Sequence, residues 1–272
     1  MRCLFTILAT LTLAGCATPM PWPQSPLYAA STAEDFSQLS KSEAKAAAVG
    51  HYGHYDVVAY EDDSMRTFVI SYGFTTIYLD GDTLMQRDRF CSASHKINYN
   101  SVESYFSDAA TRAIVPPDHE LTVSKRDNTW WLSRAETPTL LGVAADPNKP
   151  LVQDPSQYQF IDADNDGNPG VTVELLVGGF YKGELYIARR ERFANEIALT
   201  NRYRLEGYVR DQSEQLVIGA SSRLFDRPAN PAQVLDWGLN PLLLVRIPPN
   251  LTDCDALMAQ RDLLFPPEPE FD

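Results

Sequence analysis

The sequence is poor in the residues that mark many enzymes and in apolar runs that cross membranes as helices. Of 272 residues, four are cysteine and four are histidine. No run approaches the roughly 20 apolar residues that a spanning helix requires, and neither G-x-S-x-G nor H-E-x-x-H occurs. His51 and His54 would point to opposite faces of a strand, which favours packing over a zinc site. We therefore predict no catalytic residue, and a hydrolase of unknown type ranks third among the functions considered.

Basic residues are also scarce relative to acidic ones. The chain has 23 lysines and arginines against 36 aspartates and glutamates, for a net charge of −13. So acidic a chain would repel a phosphate backbone, which argues against a nucleic-acid partner. The apolar fraction of 44% is sufficient for a substantial core, and no fixed-period repeat is present.

The N-terminus has the features of an export signal. Arg2 precedes an apolar stretch over residues 3–13, which is the length of a signal-peptide core. The run Leu13-Ala14-Gly15-Cys16 resembles a lipobox, and this resemblance implies removal of residues 1–15 and acylation, including palmitate, of Cys16. Ala17 stands where Asp would signal inner-membrane retention, so the outer membrane is expected. An ordinary secretory signal is the alternative.

Proline content and charge divide the remaining chain. Residues 16–31 are predicted to form the lipidated cysteine and a flexible tether. Residues 32–265 form a single β-rich domain that begins with a short helix, capped by Thr32 and extending to about Val49. Residues 266–272 are an acidic, proline-rich tail. The lipid is the only membrane anchor that the sequence predicts.

Two cysteines remain in the mature chain, Cys91 and Cys254. Outside the cytoplasm disulfides persist, so we predict that these two are paired. Closing so long a loop should stabilise the fold by roughly 4–5 kcal/mol in the chain-entropy model. Two separately buried thiols are the alternative.

Alternating apolar residues predict most of the chain as strands. An Asp-Gly turn at 80–81 connects two of them. Proline clusters at 147–155, 228–231, 241–249 and 266–269 are interpreted as loops and the tail. The predicted fold is mainly β, an antiparallel meander forming a barrel or barrel-like sandwich with one short N-terminal helix. The predicted strands are 67–79, 83–92, 119–125, 129–134, 171–177, 184–193, 203–209 and 215–221.

An aromatic stripe follows one face of the first predicted strand. Phe68, Tyr72, Phe74 and Tyr78 would lie on the same side of the sheet. If the sheet closes, they could line a cavity for a small apolar ligand, and ordinary core packing is the alternative.

Residues 162–172 form an acidic loop with the D-x-D-x-D-G pattern of calcium sites. Alternate side chains in a curled loop converge, so Asp162, Asp164 and Asp166 would supply carboxylate oxygens and Asn168 a backbone carbonyl. Position 12 of the loop is Val173, where an EF-hand has a bidentate glutamate. The predicted cofactor is structural calcium, bound at roughly 10⁻⁴–10⁻³ M as in extracellular modules. A solvated turn is the alternative.

The same loop, D-x-D-x-D-G-x-P-G-V-T, resembles that of uncharacterised exported bacterial proteins and lipoproteins. The resemblance implies a calcium loop within a β architecture, and it assigns no activity to the chain. We therefore favour a membrane-anchored envelope lipoprotein with a calcium-stabilised β domain, serving a binding or structural role toward an envelope protein. A lipocalin-like carrier of a small apolar ligand is the second hypothesis. An enclosed apolar cavity of a few hundred Å³ would favour the carrier.

Overall fold

The computed structural model describes residues 19–62, 65–223, 225–226 and 231–272. The predicted signal peptide and Cys16 lie outside these ranges. In the described part of the chain, no helix has both the length and the apolar character needed to cross a bilayer.

The described chain is dominated by strands, with a few short helices. In chain order the elements are α1 (Lys41–Ala48), β1 (Gly50–Glu61), β2 (Arg66–Asp80), β3 (Thr83–Ile97), β4 (Val102–Phe106), α2 (Asp108–Arg112), β5 (His119–Arg126), β6 (Thr129–Leu141), β7 (Val143–Ala144), β8 (Gln159–Phe160), β9 (Val171–Val177), β10 (Tyr181–Ala198), β11 (Arg204–Asp211), β12 (Glu214–Ala220), β13 (Ala232–Gln233), β14 (Pro241–Arg246), α3 (Cys254–Met258) and α4 (Arg261–Leu264). Two 3₁₀ turns, Pro155–Gln157 and Trp237–Leu239, complete the set.

Eight antiparallel strands close into a ring. The order is β11-β14-β1-β2-β3-β5-β6-β10, and β10 also pairs with β11. Strand β10 is 18 residues long, and its first half extends past the ring to pair with β9 and β12, while β4 pairs with β9. These findings confirm the predicted mainly β, antiparallel, barrel-like class, and they add a side extension that the sequence did not predict.

The N-terminal helix is shorter than predicted. It begins at Lys41, where Ser40 and Glu43 form a capping box. Thr32 does not cap it, because the preceding segment is held extended by contacts with the β10–β11 turn. There the Glu34 amide donates to the Thr200 carbonyl at 2.8 Å. Tertiary hydrogen bonds therefore override the local helix signal.

The proline cluster at 241–249 was wrongly interpreted as a loop. Residues 241–246 form strand β14, which lies between β1 and β11. Leu242, Leu243 and Leu244 are fully buried, since both faces of this strand are covered. Pro241 starts the strand, a position that proline tolerates. Helices α3 and α4, also not predicted, follow this strand.

A second apolar layer covers the outside of β1, β2 and β14. Its buried members include Tyr55, Phe68, Leu243 and Phe265. The disulfide between Cys91 and Cys254 is present, as predicted, and it joins β3 to the first residue of α3. The layer is therefore held by both apolar packing and a covalent cross-link.

Segments at both ends of the described chain also lie on this outer layer. Trp22, within the predicted tether, packs edge-on against Phe68 with ring centroids 4.9 Å apart. Phe271, within the predicted tail, stacks on Phe68 at 4.9 Å. The Glu268 carboxylate accepts a hydrogen bond from the Ser94 hydroxyl at 2.7 Å. At these points the two segments are docked against the sheet.

Candidate functional site

A cavity of about 450 Å³ occupies one half of the ring and continues beneath the side extension. In the ring, the cavity is lined by residues that include Val58, Val69 and Ala93. Beneath the side extension it is lined by Phe106 of β4 and Val173 of β9. Most of the lining is apolar, and its charged side chains form two groups, one next to the filled half of the ring and one on the wall at β10. We call the group next to the filled half, which His54, Asp56, Asp88 and Arg134 form, the polar floor of the cavity.

The other half of the ring is filled. Tyr52, Ile77, Leu132 and Leu244 belong to a continuous apolar core there, together with buried Ala48 of α1. Helix α1 therefore closes this end. Arg246 donates to the carbonyl of Val49 at 2.8 Å and to that of Ala47 at 3.0 Å, which satisfies the end of the helix.

A buried polar layer separates the filled half from the cavity. His54 and Asp56 of β1 meet Asp88 of β3 and Arg134 of β6, and all four side chains are less than one-tenth exposed. Alternation of side chains along the strands directs residues 54 and 56 inward together.

The hydrogen bonds in this layer engage both ring nitrogens of His54. The Thr75 hydroxyl donates its single proton to Asp88 at 2.6 Å, so it can only accept at 2.8 Å from Nδ1–H of His54. The other ring nitrogen, Nε2, lies 2.6 Å from the Asp56 carboxylate, a contact that also requires a proton. Burial alone would lower the pKa of His54, but the hydrogen bond and the charge of Asp56 raise it overall. His54 therefore donates from Nδ1 to Thr75 and shares a proton with Asp56 at Nε2.

Arg134 is the arginine of the floor. Its Nη1 donates to Asp88 at 2.8 Å, and the Gln86 amide donates to the same carboxylate. The Nε of Arg134 is buried and has no partner among the described residues. The guanidinium is thus bound to Asp88, while its buried Nε–H group lacks a hydrogen bond, which costs stability.

A second charged group lines the wall of the cavity at β10 and β11. Arg189 lies 2.8 Å from Glu191 and 3.9 Å from Asp211. The Tyr60 hydroxyl and the Ser213 amide donate to Asp211. Burial, together with the nearby charge of Asp56, raises the pKa of Asp211 to about 7. This carboxyl group therefore changes charge near neutral pH.

The predicted aromatic stripe does not line the cavity. Phe68, Tyr72 and Phe74 are buried on the outside of the ring, in the layer beneath the C-terminal helices. The Tyr78 hydroxyl donates to Asp118 at 2.5 Å. The opposite face of β2, including Val69 and Ser71, faces the cavity. Phe68, Tyr72 and Phe74 are therefore ordinary core residues, which was the alternative interpretation of the stripe.

The acidic loop lies outside the ring, just before β9. Carboxylate oxygens of Asp162, Asp164 and Asp166 all lie within 4.8 Å of one another, so the three can hold a metal ion. Asp162 accepts from the amides of Asp166 and Gly167, at 3.1 and 3.0 Å, which curls the loop. A left-handed Gly167, with φ of 92°, completes the turn.

Asp164 is the buried member of this cluster, with 7% of its surface exposed. Its Oδ2 accepts from the Thr172 amide at 3.0 Å, whereas its Oδ1 is buried without a partner in the described chain. Burial raises the pKa of this carboxyl group, as do the neighbouring Asp166 and Asp162. An unpaired buried carboxylate oxygen beside two other carboxylates is the environment that a cation relieves.

Three further residues with side-chain oxygens, Asn168, Asp154 and Glu174, are placed differently. The Asn168 side-chain amide donates to Asp166 at 3.2 Å, and the use of the Asn168 backbone carbonyl as a ligand stays a prediction. Asp154 caps the 3₁₀ turn at Pro155–Gln157, and exposed Glu174 is paired in register with Glu184. Neither belongs to the carboxylate cluster.

Comparison with protein-family models, with curated proteins and with solved structures found no match to this chain. The site must therefore be interpreted from its own geometry.

Proposed function

We propose that this chain is an envelope lipoprotein whose ring of strands binds a small, largely apolar ligand in the interior cavity. The observation that carries the proposal is the cavity itself. Its volume of about 450 Å³ falls within the range of roughly 300–1,000 Å³ that small-molecule sites occupy. A purely structural protein would gain stability by filling that space, which is why the carrier hypothesis now ranks above a structural role.

The polar floor favours binding over catalysis. Both ring nitrogens of His54 are engaged, by Thr75 and by Asp56, so the imidazole has no free position to exchange a proton with a ligand. Thr75 is fully buried and lies outside the cavity lining. Our proposal therefore includes no reaction at this site.

The envelope location rests on the lipobox-like run ending at Cys16 and on the Cys91–Cys254 disulfide. The disulfide supports export, because such bonds persist mainly outside the cytoplasm. Outer-membrane anchoring by lipid remains part of the proposal. Its test is mass spectrometry of the protein purified from membranes: a mass without acyl chains on Cys16 would remove the anchor.

Ligand binding is testable by blocking the cavity. Purified protein is titrated with N-phenylnaphthylamine, an uncharged dye that fluoresces in apolar surroundings. Ala93 lines the cavity, so Ala93→Trp should abolish the fluorescence gain, since the indole would fill the space. Thr122→Trp, on an exposed outward position of β5, is the matched control and should bind as wild type. Equal binding by Ala93→Trp and wild type, or none by wild type, would contradict the proposal.

We also propose that the acidic loop binds calcium as a structural cofactor. Support comes from the three converging carboxylates and from the buried, unpaired Oδ1 of Asp164. Calcium at a concentration of ten times its dissociation constant should stabilise the fold by about 1.4 kcal/mol. This corresponds to a rise of about 3–6 °C in melting temperature.

Asp164→Asn should lose this calcium response. Asp146→Asn is the control, because Asp146 accepts from the Asn148 amide at 3.0 Å much as Asp166 accepts from Asn168 at 2.8 Å. If calcium leaves the melting temperature of the wild-type protein unchanged, the calcium site is contradicted and the loop is only an acidic turn.

A further inference from the structure

In the described part of the chain, the cavity opens at the end of the ring that lies opposite to helix α1. Three of its lining residues stand at strand ends there: Ile97 ends β3, Val102 starts β4 and Val177 ends β9. All three are half-buried, whereas Val58, deeper in the same cavity, is only 2% exposed. Helix α1 and the filled core close the other end. A ligand therefore enters between these strand ends, which we call the opening.

Exposed aromatic side chains stand beside the opening. Phe180, in the turn between β9 and β10, is 84% exposed. Tyr181, the next residue, is also exposed, and its ring centroid lies 5.4 Å from that of Phe225, which lines the cavity. The turn is held in place because the Gly178 amide donates to the Ser101 carbonyl at 2.7 Å. Aromatic side chains of this kind favour the boundary between water and the apolar part of a membrane.

The predicted lipid anchor is tied to the same end of the ring. The Met20 amide donates to the Asn98 carbonyl at 3.0 Å, and the Asn98 amide donates to the carbonyl of Arg66, the first residue of β2. Cys16 precedes Met20 by four positions, which span at most roughly 14 Å. Strand β2, with its 15 residues, runs roughly 45 Å from this end toward the α1 end. An acylated Cys16 would therefore lie on the side of the opening.

The charges inside the cavity disfavour a charged headgroup. Three basic side chains, in the polar floor and on the β10 wall, each lie within 2.8 Å of a carboxylate partner. A charged headgroup would have to break one of these ion pairs and leave a buried charge alone, which is costly. The walls are mostly apolar, so the cavity suits an acyl chain whose headgroup stays outside. The three pairs are His54 with Asp56, Arg134 with Asp88, and Arg189 with Glu191.

We propose that the opening, with Phe180 and Tyr181 at its edge, docks on the membrane that carries the lipid anchor and admits an acyl chain of a membrane lipid into the cavity. This inference rests on the proposed ligand-binding function and on the proposed anchor. Lys182 and Glu103 are exposed, and both pair in register with Leu176 beside the opening. Because their charges are opposite, the docking is apolar contact, and zwitterionic phosphatidylcholine is the lipid for the test.

The depth of Phe180 in a bilayer tests the docking. The acylated protein, purified from membranes, is reconstituted into phosphatidylcholine vesicles with a nitroxide label on Phe180→Cys. Cys16 is then acylated and Cys91 is paired with Cys254, so the introduced thiol is the one that the label reaches. Electron paramagnetic resonance should show that the label collides more with oxygen, which concentrates in the bilayer, than with a water-soluble nickel chelate.

Asp82→Cys is the matched control for the label. Asp82 is exposed in the turn between β2 and β3, at the α1 end of the ring, so a label there should collide mainly with the nickel chelate. If the chelate reaches positions 180 and 82 equally, the docking is refuted, while binding of N-phenylnaphthylamine in the cavity would still stand.

Entry of an acyl chain is tested with phosphatidylcholine that carries a pyrene at the end of one chain. Pyrenes crowded in a bilayer emit as excimers, whereas a single chain in the cavity emits as a monomer. Wild-type protein should raise the monomer emission of such vesicles. Ala93→Trp and Val69→Trp, which fill the cavity from two strands, should lose this gain, and Thr122→Trp should keep it.

The outcomes separate this inference from the binding function. If wild-type protein binds the dye but leaves the pyrene emission unchanged, entry of a lipid chain is refuted and the binding function stands. A monomer gain that both filling variants retain would place the chain outside the cavity and would also refute it. If neither the dye nor the pyrene responds to wild-type protein, the binding function itself fails.

Discussion

Removal of the Cys91–Cys254 disulfide should cost about 5 kcal/mol of unfolding free energy. The two cysteines are separated by 163 positions, and the chain-entropy model assigns a loop of that length about 17 cal/mol/K, or about 5 kcal/mol at room temperature. The perturbation is the double variant Cys91→Ala/Cys254→Ala. Alanine suits the site because Cys91 is fully buried among apolar side chains.

Equilibrium unfolding in guanidinium chloride, followed by tryptophan fluorescence and by circular dichroism, measures the loss. The single variant Cys91→Ala is the control, because it also breaks the cross-link and should lose a similar amount. Reduced wild-type protein should behave in the same way. A double variant within about 1 kcal/mol of oxidised wild type would refute the loop-entropy reasoning.

The loss of stability should affect the whole fold, so unfolding of the variant should remain one global transition. Phe265 of the C-terminal segment stacks on Tyr55 with ring centroids 5.7 Å apart, and Glu268 accepts from the Tyr72 hydroxyl at 3.1 Å. We expect these contacts to keep the segment docked without the cross-link. Cleavage by protease beyond residue 254, while the strands remain folded, would show local release instead and would contradict the expectation of a global effect.

Two further predictions concern the buried charges. Arg134→Met should destabilise the protein by about 3–5 kcal/mol, because it leaves Asp88 buried without the guanidinium that pairs with it. Adding Asp88→Asn should recover part of this loss in thermal unfolding. If the losses of the two single variants simply add in the double variant, the pairing is contradicted. Burial raises the pKa of Asp211 from 3.8 to about 7, so in that interval the folded protein holds a proton that the unfolded chain has released. Stability should therefore fall as pH rises from about 4 to about 7, and melting curves of Asp211→Asn should lack this part of the slope; an unchanged slope would contradict it.

Local patterns predicted much of the sheet. Alternation over residues 67–79 predicted β2, observed at Arg66–Asp80, and the Asp-Gly signal predicted the turn into β3. Strand β9 was predicted with its observed bounds, Val171–Val177. These predictions succeeded because a strand with different surroundings on its two faces shows a period of two in its sequence. Strand β14 shows no such period, since both of its faces are buried.

The floor of the cavity was missed for a different reason. His54, Asp88 and Arg134 come from β1, β3 and β6, and no pair of them is close in sequence. Each is a polar residue at an inward position of a strand whose inward face also carries apolar residues, and this pattern break was the available signal. On its own it predicts only an imperfect strand.

The sequence by itself determined the local and the pairwise features: the strand period, the acidic loop at 162–172, and the disulfide that was predicted between Cys91 and Cys254. The tertiary structure decided which face of each strand is inside. Closure of the ring turned Val69 and Ser71 toward the cavity and Phe68 and Tyr72 away from it. Alternation defines two faces but assigns neither of them to the interior, because that choice depends on how distant strands meet.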